Sequence, residues 1–389
     1  MPQIAYVSTY VPKKCGLATY THHLREAINC NKGSRSQDLV VPLCNLDEMH
    51  SYKEPWMLPI SKLDQHNYGT IAEALNQSTI DIVSLQHEFG IFGGEGGNYV
   101  LDFLKELKKP VVTTFHTVFE HPVIPYHEVQ REIAELSNHL IVMNRKGIGY
   151  LQHQFTIAPD KVSYIPHGSP VPNQADRTLV RRNMGWNEHK VLFTFGLLGR
   201  SKGIELVLNA LAAAVHAVPE LQYVIAGQTH PEVLRYEGEA YREELKTLTQ
   251  QLGIEHHVQW IDRYVPEAEL TALIAACDLY VTPYPGMGQI TSGTLAYAAG
   301  LGRPILSTPY EYAKDLLQGY DAMLLPYGNV EAWGAKLIEV FSYPGMLAKW
   351  EQVISEIGHG MHWPQVGALH LRLFQRVLSE QRGKIAYVG

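Results

Sequence analysis

Short runs of apolar and β-branched residues alternate along the chain with segments in which apolar residues recur every three or four positions. The runs predict buried strands and the segments predict amphipathic helices. Strands that alternate with helices form parallel sheets with crossover helices, so the pattern predicts an α/β protein. The predicted strands are residues 4–8, 39–43, 80–85, 111–115, 139–143, 162–165, 191–195, 222–226, 258–261, 279–282, 304–307 and 322–325.

A proline-rich segment divides this alternation into two halves. The segment 166–172 contains three prolines and no apolar periodicity, and the strand pattern restarts after it. With 389 residues, the chain also exceeds the roughly 250–300 residues that one hydrophobic core supports. We therefore expect two Rossmann-like, doubly wound domains, 1–172 and 173–360, which face each other across a cleft. A helical tail, 361–389, is expected to pack back on the first domain.

Composition excludes several classes of function. The net charge is −7 and no basic block is present, which argues against nucleic acid as a partner. No apolar stretch reaches the roughly 18 residues of a membrane span, and residues 1–7 do not resemble a secretory signal. The four cysteines show no paired spacing, and the 19 histidines have no matching carboxylate or cysteine ligands. These features predict a soluble, cytoplasmic protein with no metal site.

The most informative stretch, 286–294, follows the apolar run 278–283, which contains the predicted strand 279–282. Its glycines let the backbone approach a ligand closely, and the amides of a helix that starts at Ser292 or Thr294 suit a phosphate group. A capped loop without a ligand explains the same residues. If the pocket exists, its contacts come from the consecutive residues Gln289, Ile290, Thr291, Ser292 and Gly293.

Two further loops follow strands of the second half. Gly196, Arg200 and Lys202 lie between strand 191–195 and a helix, where the two cations can form an anion clamp. Backbone groups of Tyr264 and Val265, after strand 258–261, are placed to meet a planar base. A turn before a proline-capped helix explains the second loop equally well.

The first half also has polar residues at strand ends. Gly16 precedes a helix and gives a polar ligand access to its amides. The glycine-rich loop after strand 80–85 carries Glu88, Phe92 and Glu95, which can bind a polyol through hydrogen bonds and an aromatic face. His116 follows strand 111–115. A plain turn, a mobile surface loop and a structural histidine are the competing interpretations.

Taken in order, the Gly16 loop, His116, the 165–168 domain exit, the Arg200 and Lys202 loop and the 283–308 region resemble glycosyltransferase family 4, whose members have the GT-B fold. The resemblance implies a hexosyltransferase of carbohydrate biosynthesis that acts with retention and without a metal or other cofactor. It implies a nucleotide diphosphate sugar, such as GDP-mannose or UDP-glucose, on the second domain and a hydroxyl acceptor on the first. It also implies catalytic roles for His116, Arg200 and Lys202.

The sequence departs from the family at three positions. Family members commonly carry two glutamates eight positions apart, of which the first contacts the donor sugar and the second the ribose diol. Gln289 and Tyr297 stand at these positions here, and Leu197 stands where the family has an arginine. Gln289 can still bind sugar hydroxyls, whereas Tyr297 cannot provide a bidentate carboxylate contact.

Two other functions fit the same residues. A phosphorylase of the same architecture would hold inorganic phosphate in the clamp. A catalytically silent sugar-binding or nucleotide-binding protein would explain the missing glutamates. The base, the hexose, the acceptor and the oligomeric state are not encoded in any motif that we identify.

Overall fold

The computed structural model describes residues 1–33, 38–172 and 177–388. The chain divides into two compact units, Met1–Gly168 with the helix Trp363–Val388, and Ser169–His362. The predicted start of the second domain at residue 173 lies in 173–176, outside the described residues, as does the last residue of the tail. The α/β fold with two doubly wound parallel sheets is confirmed.

The first unit contains a seven-stranded sheet in the order β3-β2-β1-β4-β5-β6-β7, and its neighbouring strands pair in parallel. Its strands are β1 (Ile4–Ser8), β2 (Leu39–Cys44), β3 (Ile60–Ser61), β4 (Ile82–His87), β5 (Val111–Phe115), β6 (His139–Val142) and β7 (Val162–Tyr164). Its first five helices are α1 (Gly16–Lys32), α2 (Gln65–Gln77), α3 (Val100–Glu106), α4 (Tyr126–Leu136) and α5 (Arg145–Phe155).

The second unit contains a five-stranded parallel sheet in the order β10-β9-β8-β11-β12. Its strands are β8 (Lys190–Phe195), β9 (Leu221–Ala226), β10 (Val258–Ile261), β11 (Leu279–Thr282) and β12 (Ile305–Ser307). Its helices are α6 (Arg177–Met184), α7 (Ile204–Ala214), α8 (Pro231–Glu237), α9 (Ala240–Gln251), α10 (Glu267–Ala276), α11 (Gly293–Gly300), α12 (Glu311–Leu316), α13 (Val330–Ser342) and α14 (Pro344–His359).

The last helix of the chain, α15 (Trp363–Val388), belongs to the first unit. Val366 and Phe374 of α15 are fully buried with Leu24 and Ile28 of α1 in one apolar cluster. A Cβ atom on Gly367 would lie 2.7 Å from the backbone of Ala27, so this glycine lets the two helices approach closely. The apolar face of α15 therefore completes the core of the first unit.

The observed strands differ from the predicted ones in two places: one predicted strand is wrong and one short strand was not predicted. Residues 322–325, predicted as a strand, form a single 3-10 turn at Asp321–Met323 followed by one isolated bridge between Ser307 and Leu324. One bridge is too short to make a strand of this segment. Strand β3 was not predicted, because its two residues are too few to show alternation.

Among the described residues, none of the helices combines the length and the apolar character that crossing a bilayer requires. The longest of these helices, α15, has a buried apolar face and an exposed face that carries charged residues such as Arg372 and Arg376.

Candidate functional site

The order of the strands places the candidate site of the second unit. Strands β9 and β10 lie on one side of β8, and β11 and β12 lie on the other. In doubly wound sheets, ligands bind outside the carboxyl ends of the strands at the point where the strand order reverses. This point is between β8 and β11, so the loops 196–203 and 283–292 border it.

Lys202 is joined to the start of α11 by a chain of hydrogen bonds. Its Nζ donates to Oη of Tyr284 at 2.9 Å and lies 4.4 Å from the centre of that ring. Oη of Tyr284 lies 2.8 Å from Oγ1 of Thr294, which lies 3.2 Å from Oγ of Ser292. These contacts place a cation beside the first turn of α11, where an anionic ligand is favoured.

Gly196 makes room for this arrangement. Its φ is +133°, in a region that favours glycine, and a Cβ atom there would lie 3.4 Å from Cγ2 of Thr294 and 3.5 Å from Nζ of Lys202. The absence of a side chain therefore keeps the space beside Lys202 and Thr294 open.

The residues predicted to contact a ligand between 289 and 293 differ from one another in burial and in hydrogen bonding. Ser292 is the N-cap of α11, and its Oγ accepts from the amide of Leu295 at 3.3 Å. Ile290 is buried and anchors the loop in the core, whereas Gln289 is exposed and donates through Nε2 to the carbonyl of Thr291 at 2.8 Å. Gly293 is the first residue of the helix. The helix start predicted at Ser292 or Thr294 therefore lies beside Lys202.

Arg200 has partners other than those of Lys202. Its Nη1 and Nη2 donate to the two carboxylate oxygens of Glu244 at 2.7 Å each, and its Nε donates to Glu237 at 3.2 Å. These bonds, first to Glu244 and then to Glu237, raise the pKa of Arg200 above its ordinary value. The structure therefore holds the two cations of the predicted clamp in separate networks, because α8 and α9 supply carboxylates that the loop sequence does not show.

Tyr297 is paired with a carboxylate that the sequence analysis missed. Its Oη donates to Oε1 of Glu267 at 3.0 Å, and Tyr297 itself is buried on α11, one turn after Thr294. Glu267 is the first residue of α10 and is half-buried. A carboxylate thus lies at the hydroxyl end of Tyr297, although residue 297 has none of its own.

The loop after β10 presents one ring and buries its neighbour. Tyr264 is 39% exposed, whereas Val265 packs into the core of the second unit. Arg263 forms a two-oxygen ion pair with Glu269 on α10, with bonds of 2.9 and 2.5 Å. The sequence predicted that backbone groups of Tyr264 and Val265 meet a planar base; the structure adds a partly exposed aromatic ring at the same loop, which is a surface on which a base can stack.

Arg242, also missed, connects two loops at the same edge. It is buried on α9, where its Nη2 donates to the carbonyl of Gly227 at 3.0 Å and its Nη1 pairs with Asp262. Gly227 and Asp262 directly follow β9 and β10. The sequence shows Arg242 only as a charged residue inside a predicted helix. That pattern does not indicate that Arg242 contacts Gly227 and Asp262.

In the first unit the strand order reverses between β1 and β4. Gly16 starts α1 after the β1 loop, and Cys15 caps that helix by accepting from the amide of Ala18 at 3.4 Å. A Cβ atom on Gly16 would meet no atom within 4 Å. The open space beside this exposed glycine leaves room for the ligand that the sequence predicts there.

His116 is held by a hydrogen bond and an aromatic contact. Its Nε2 lies 3.0 Å from Oε1 of Gln86, and the amide of Gln86 donates to Ser84 at 3.1 Å. Because that amide is a donor, Oε1 accepts and Nε2 of His116 carries a proton. The ring of Tyr20 meets that of His116 edge-on at 4.8 Å. Burial, and then the nearby His167, lower the pKa of His116, so its imidazole is neutral.

Glu88 lies beside His116, because β4 and β5 are neighbours. Its Oε2 accepts from Oγ1 of Thr117 at 2.7 Å, and its Oε1 accepts from the amide of Phe89 at 3.0 Å. Burial raises the pKa of Glu88 above its ordinary value in spite of these bonds. Glu88 and His116, which the sequence predicted as separate candidates, thus lie at adjacent strand ends.

Phe92 and Glu95 occupy different environments. Phe92 is buried and stacks on His87 with ring centres 5.6 Å apart, whereas Glu95 is exposed in a 3-10 turn at Glu95–Gly97. The hydrogen bonds of the Glu88 and His116 side chains go to Thr117, Phe89 and Gln86, and Glu95 is not among these partners. Within the part of the chain that the structure describes, no three His, Cys, Asp or Glu residues are arranged to hold a metal ion.

Part of the second unit is similar to a known protein family. Residues 189–342 match the model of a family described as glycosyl transferases group 1. The chain is 22% identical over 295 residues to the phosphatidyl-myo-inositol mannosyltransferase of Mycobacterium leprae, over 71% of this chain and 70% of the relative. It is 21% identical to the alpha-monoglucosyldiacylglycerol synthase of Streptococcus pneumoniae, over 88% of this chain and 78% of that protein.

Solved structures show the same fold. Anabaena HepE in complex with UDP superposes with a TM-score of 0.76 at 14% identity, covering 96% of this chain and all of HepE. The sucrose-phosphate synthase of Thermosynechococcus elongatus superposes with a TM-score of 0.76 at 13% identity, covering 97% of this chain and 100% of that one. These neighbours are GT-B glycosyltransferases, so the predicted fold is confirmed.

Proposed function

We propose that this glycosyltransferase, whose residues 189–342 match the family model of the group 1 glycosyl transferases, moves a hexosyl group from a nucleoside diphosphate sugar to a hydroxyl acceptor with retention. The observation that carries this proposal is the network from Lys202 through Tyr284 to Thr294 at the start of α11. It places one cation and the first-turn amides of α11 at the reversal of strand order, where a diphosphate fits.

The proposed reaction has three chemical parts. The bond between the anomeric carbon and the diphosphate oxygen breaks, and a bond from the acceptor hydroxyl forms on the same face of the sugar. The hydroxyl proton passes to an oxygen of the departing phosphate. Lys202 and the amides at the start of α11 stabilise the negative charge that develops on the diphosphate, which is the kind of contribution that dominates many enzymatic rate enhancements.

The remaining contacts divide between the units. In the second unit, Gln289 binds hexose hydroxyls and the Tyr264 ring stacks on the base. In the first unit, His116 and Glu88 bind the acceptor hydroxyl, and their hydrogen bonds to Gln86 and Thr117 orient them. The four free thiols support a reducing, cytoplasmic compartment. The reaction as proposed uses no metal, because Lys202 supplies the positive charge.

UDP is a reasonable first nucleotide to test, since HepE was solved with it. The purified chain, incubated with UDP-glucose or GDP-mannose and a panel of hydroxyl acceptors, is expected to release nucleoside diphosphate and to form a glycoside whose anomeric configuration, read by NMR, matches the donor. Release of sugar 1-phosphate from oligosaccharides, without a response to nucleotides, would instead identify a phosphorylase. Nucleotide binding without turnover would identify a silent binding protein.

Glu267 supplies the ribose carboxylate in this proposal. A carboxylate that binds a ribose diol at the carboxyl edge of a sheet is a recurrent nucleotide contact, and Tyr297 fixes one oxygen of Glu267. Glu267→Gln is expected to weaken binding of the bare nucleotide by about tenfold or more, as the loss of a charged hydrogen bond predicts. Tyr297→Phe should act in the same direction but less strongly. Calorimetry with UDP and GDP measures both.

Glu267→Gln and Gln289→Ala together distinguish the proposed ribose contact from the proposed hexose contact. Gln289→Ala is expected to slow transfer and to leave binding of the bare nucleotide unchanged, because its contact is with the sugar. Glu255→Gln is the matched control, since Glu255 is exposed just before β10, at the opposite end of that strand from Glu267. If Glu267→Gln binds nucleotide as tightly as Glu255→Gln does, the ribose lies elsewhere.

A further inference from the structure

A recess in the first unit has walls of unusual composition. It has a volume of about 340 Å³ and is lined by Leu63, Phe89, Phe92 and Tyr126, together with Lys62 and five glycines of the loop after β4. Gly94 and Gly97 have φ values of +81° and +83°, in the region that favours glycine. A Cβ atom on Gly94 would clash with Asn98 and Tyr99, and one on Gly97 would lie 2.8 Å from the carbonyl oxygen of Phe89, so these glycines let the loop fold closely on itself. Apart from Lys62, the residues that complete the lining are apolar or aromatic.

Apolar side chains continue from the recess onto the surface. The Phe89 ring stacks on Phe119 at 5.5 Å and meets Tyr126 edge-on at 4.9 Å. Between Phe119 and Tyr126 in the sequence, the side chains of Val123 and Ile124 are 66% and 73% exposed. We call the exposed side chains of Phe119, Val123, Ile124 and Tyr126 the apolar rim. Single exposed apolar residues are ordinary, but a contiguous group beside a recess marks a binding surface.

The polar groups of the candidate acceptor site directly adjoin this surface. Glu88 precedes Phe89 and accepts a hydrogen bond from its amide, and the Glu88 partner Thr117 is two residues before Phe119. Hydrogen-bonding groups and apolar surface therefore follow each other along the same two loops. A ligand that satisfies both has a hydroxyl-bearing head and an apolar chain.

We propose that the acceptor is amphiphilic, carrying an alkyl or acyl chain that lies in the recess and along the apolar rim while its hydroxyl head meets Glu88 and His116. This inference rests on the proposed function and narrows its acceptor class. A free oligosaccharide would leave the apolar rim in water, whereas a chain covers it. Each methylene that the protein buries should tighten binding by about fourfold, until the surface is covered.

The experiment compares methyl, hexyl and octyl glucoside, each below its micellar concentration, as ligands of the full chain. Calorimetry without donor reads binding directly, and release of UDP from UDP-glucose reads acceptor use. The dissociation constant and KM are expected to fall as the chain lengthens. Affinities that do not depend on chain length would overturn the proposal, as would binding only to phosphatidylglycerol vesicles, which would indicate a membrane-docking surface instead.

Matched variants locate the effect. The double variant Phe119→Ser with Ile124→Ser is expected to weaken octyl glucoside binding by tenfold or more and to leave methyl glucoside unchanged. The control is Leu234→Ser with Tyr236→Ser, which removes from α8 in the second unit two apolar side chains that are exposed by 50% and 74%, against 39% and 73% for Phe119 and Ile124. If the two double variants bind octyl glucoside equally well, the apolar rim is not the site.

Separate measurements test the amphiphilic acceptor and the proposed sugar transfer. Release of UDP from UDP-glucose in water alone, and nucleotide binding by calorimetry, report on the second unit without any acceptor. If binding depends on chain length and on the apolar rim but the donor is not turned over, the proposed binding of an alkyl chain is supported and the proposed sugar transfer is contradicted. If the donor is turned over but substitutions in the apolar rim do not change the affinity for octyl glucoside, sugar transfer is supported and binding of an alkyl chain is contradicted.

Discussion

Replacement of Lys202 by alanine is expected to lower the kcat/KM of sugar transfer by about a hundredfold or more, because removing one preorganised charge from a developing anion typically costs that much. The cation is held by Tyr284 beside the start of α11, at the reversal of strand order. Steady-state rates of nucleoside diphosphate release at several donor concentrations measure the effect. The fold should survive, because Lys202 is the last residue of a single 3-10 turn, Arg200–Lys202, and is not buried.

Two comparisons make this prediction specific. Lys336→Ala is the control, since Lys336 pairs with Glu339 on the same helix, α13, away from the strand ends. Arg200→Ala should reduce the rate less than Lys202→Ala does, because Glu244 and Glu237 hold the guanidinium. A folded Lys202→Ala protein that transfers sugar at the rate of the Lys336→Ala control would remove Lys202 from the mechanism.

The second large effect is a loss of stability in acid that originates in the first unit. His87 is fully buried between Phe89, Phe92 and Phe115, and neither ring nitrogen has a hydrogen-bond partner among the described residues. Burial lowers the pKa of His87 to about 3. His167 and His370, also buried in this unit, have pKa values lowered to about 4 by the same cause.

The sign follows from proton binding. Below the unfolded pKa of about 6.5, the unfolded chain takes up a proton on each of these histidines, whereas the folded unit does not until its own lower pKa is reached. Stability is therefore full above pH 6.5 and falls with acidity, by roughly 1.4 kcal/mol per pH unit for each buried histidine. The loss continues down to the folded pKa values.

Hydrogen-exchange protection of β4, corrected for the intrinsic exchange rate, measures this loss between pH 7 and pH 5. His87→Leu is expected to reduce the slope of unfolding free energy against pH by about 1.4 kcal/mol per pH unit, the contribution of one proton. Leucine fills a similar volume and does not titrate. His153→Leu, at an exposed position on α5, should leave the slope unchanged. Equal slopes for His87→Leu and the unaltered chain would show that His87 is not neutral in the folded state.

The strands illustrate how far the pattern of residues carries. Ile4–Ser8, Val111–Phe115, Val258–Ile261 and Leu279–Thr282 lie where the pattern predicts them, because short apolar runs between turn signals have few alternatives in an α/β chain. Strand β3 and the turn at Asp321–Met323 were missed, because two residues show no period and one apolar run fits either a strand or a turn.

The sequence also located the loops of the candidate site, since ligand-binding loops of parallel sheets follow strands and carry glycines and helix caps in local sequence. Gly196, Ser292 and Gly293 lie at such a loop or helix start in the structure. Their local geometry depends on neighbouring residues, which a sequence displays.

Tertiary structure alone decided the partners. Glu267 and Tyr297 are 30 positions apart, and Arg200 and Glu244 are 44 apart. Whether such residues meet depends on the order of the strands and on the packing of helices against them, and neither is written in a local pattern. By itself, the sequence determined an α/β fold and the loops in which its chemistry lies. Only the packed structure separated Arg200 from Lys202 and brought a carboxylate to Tyr297.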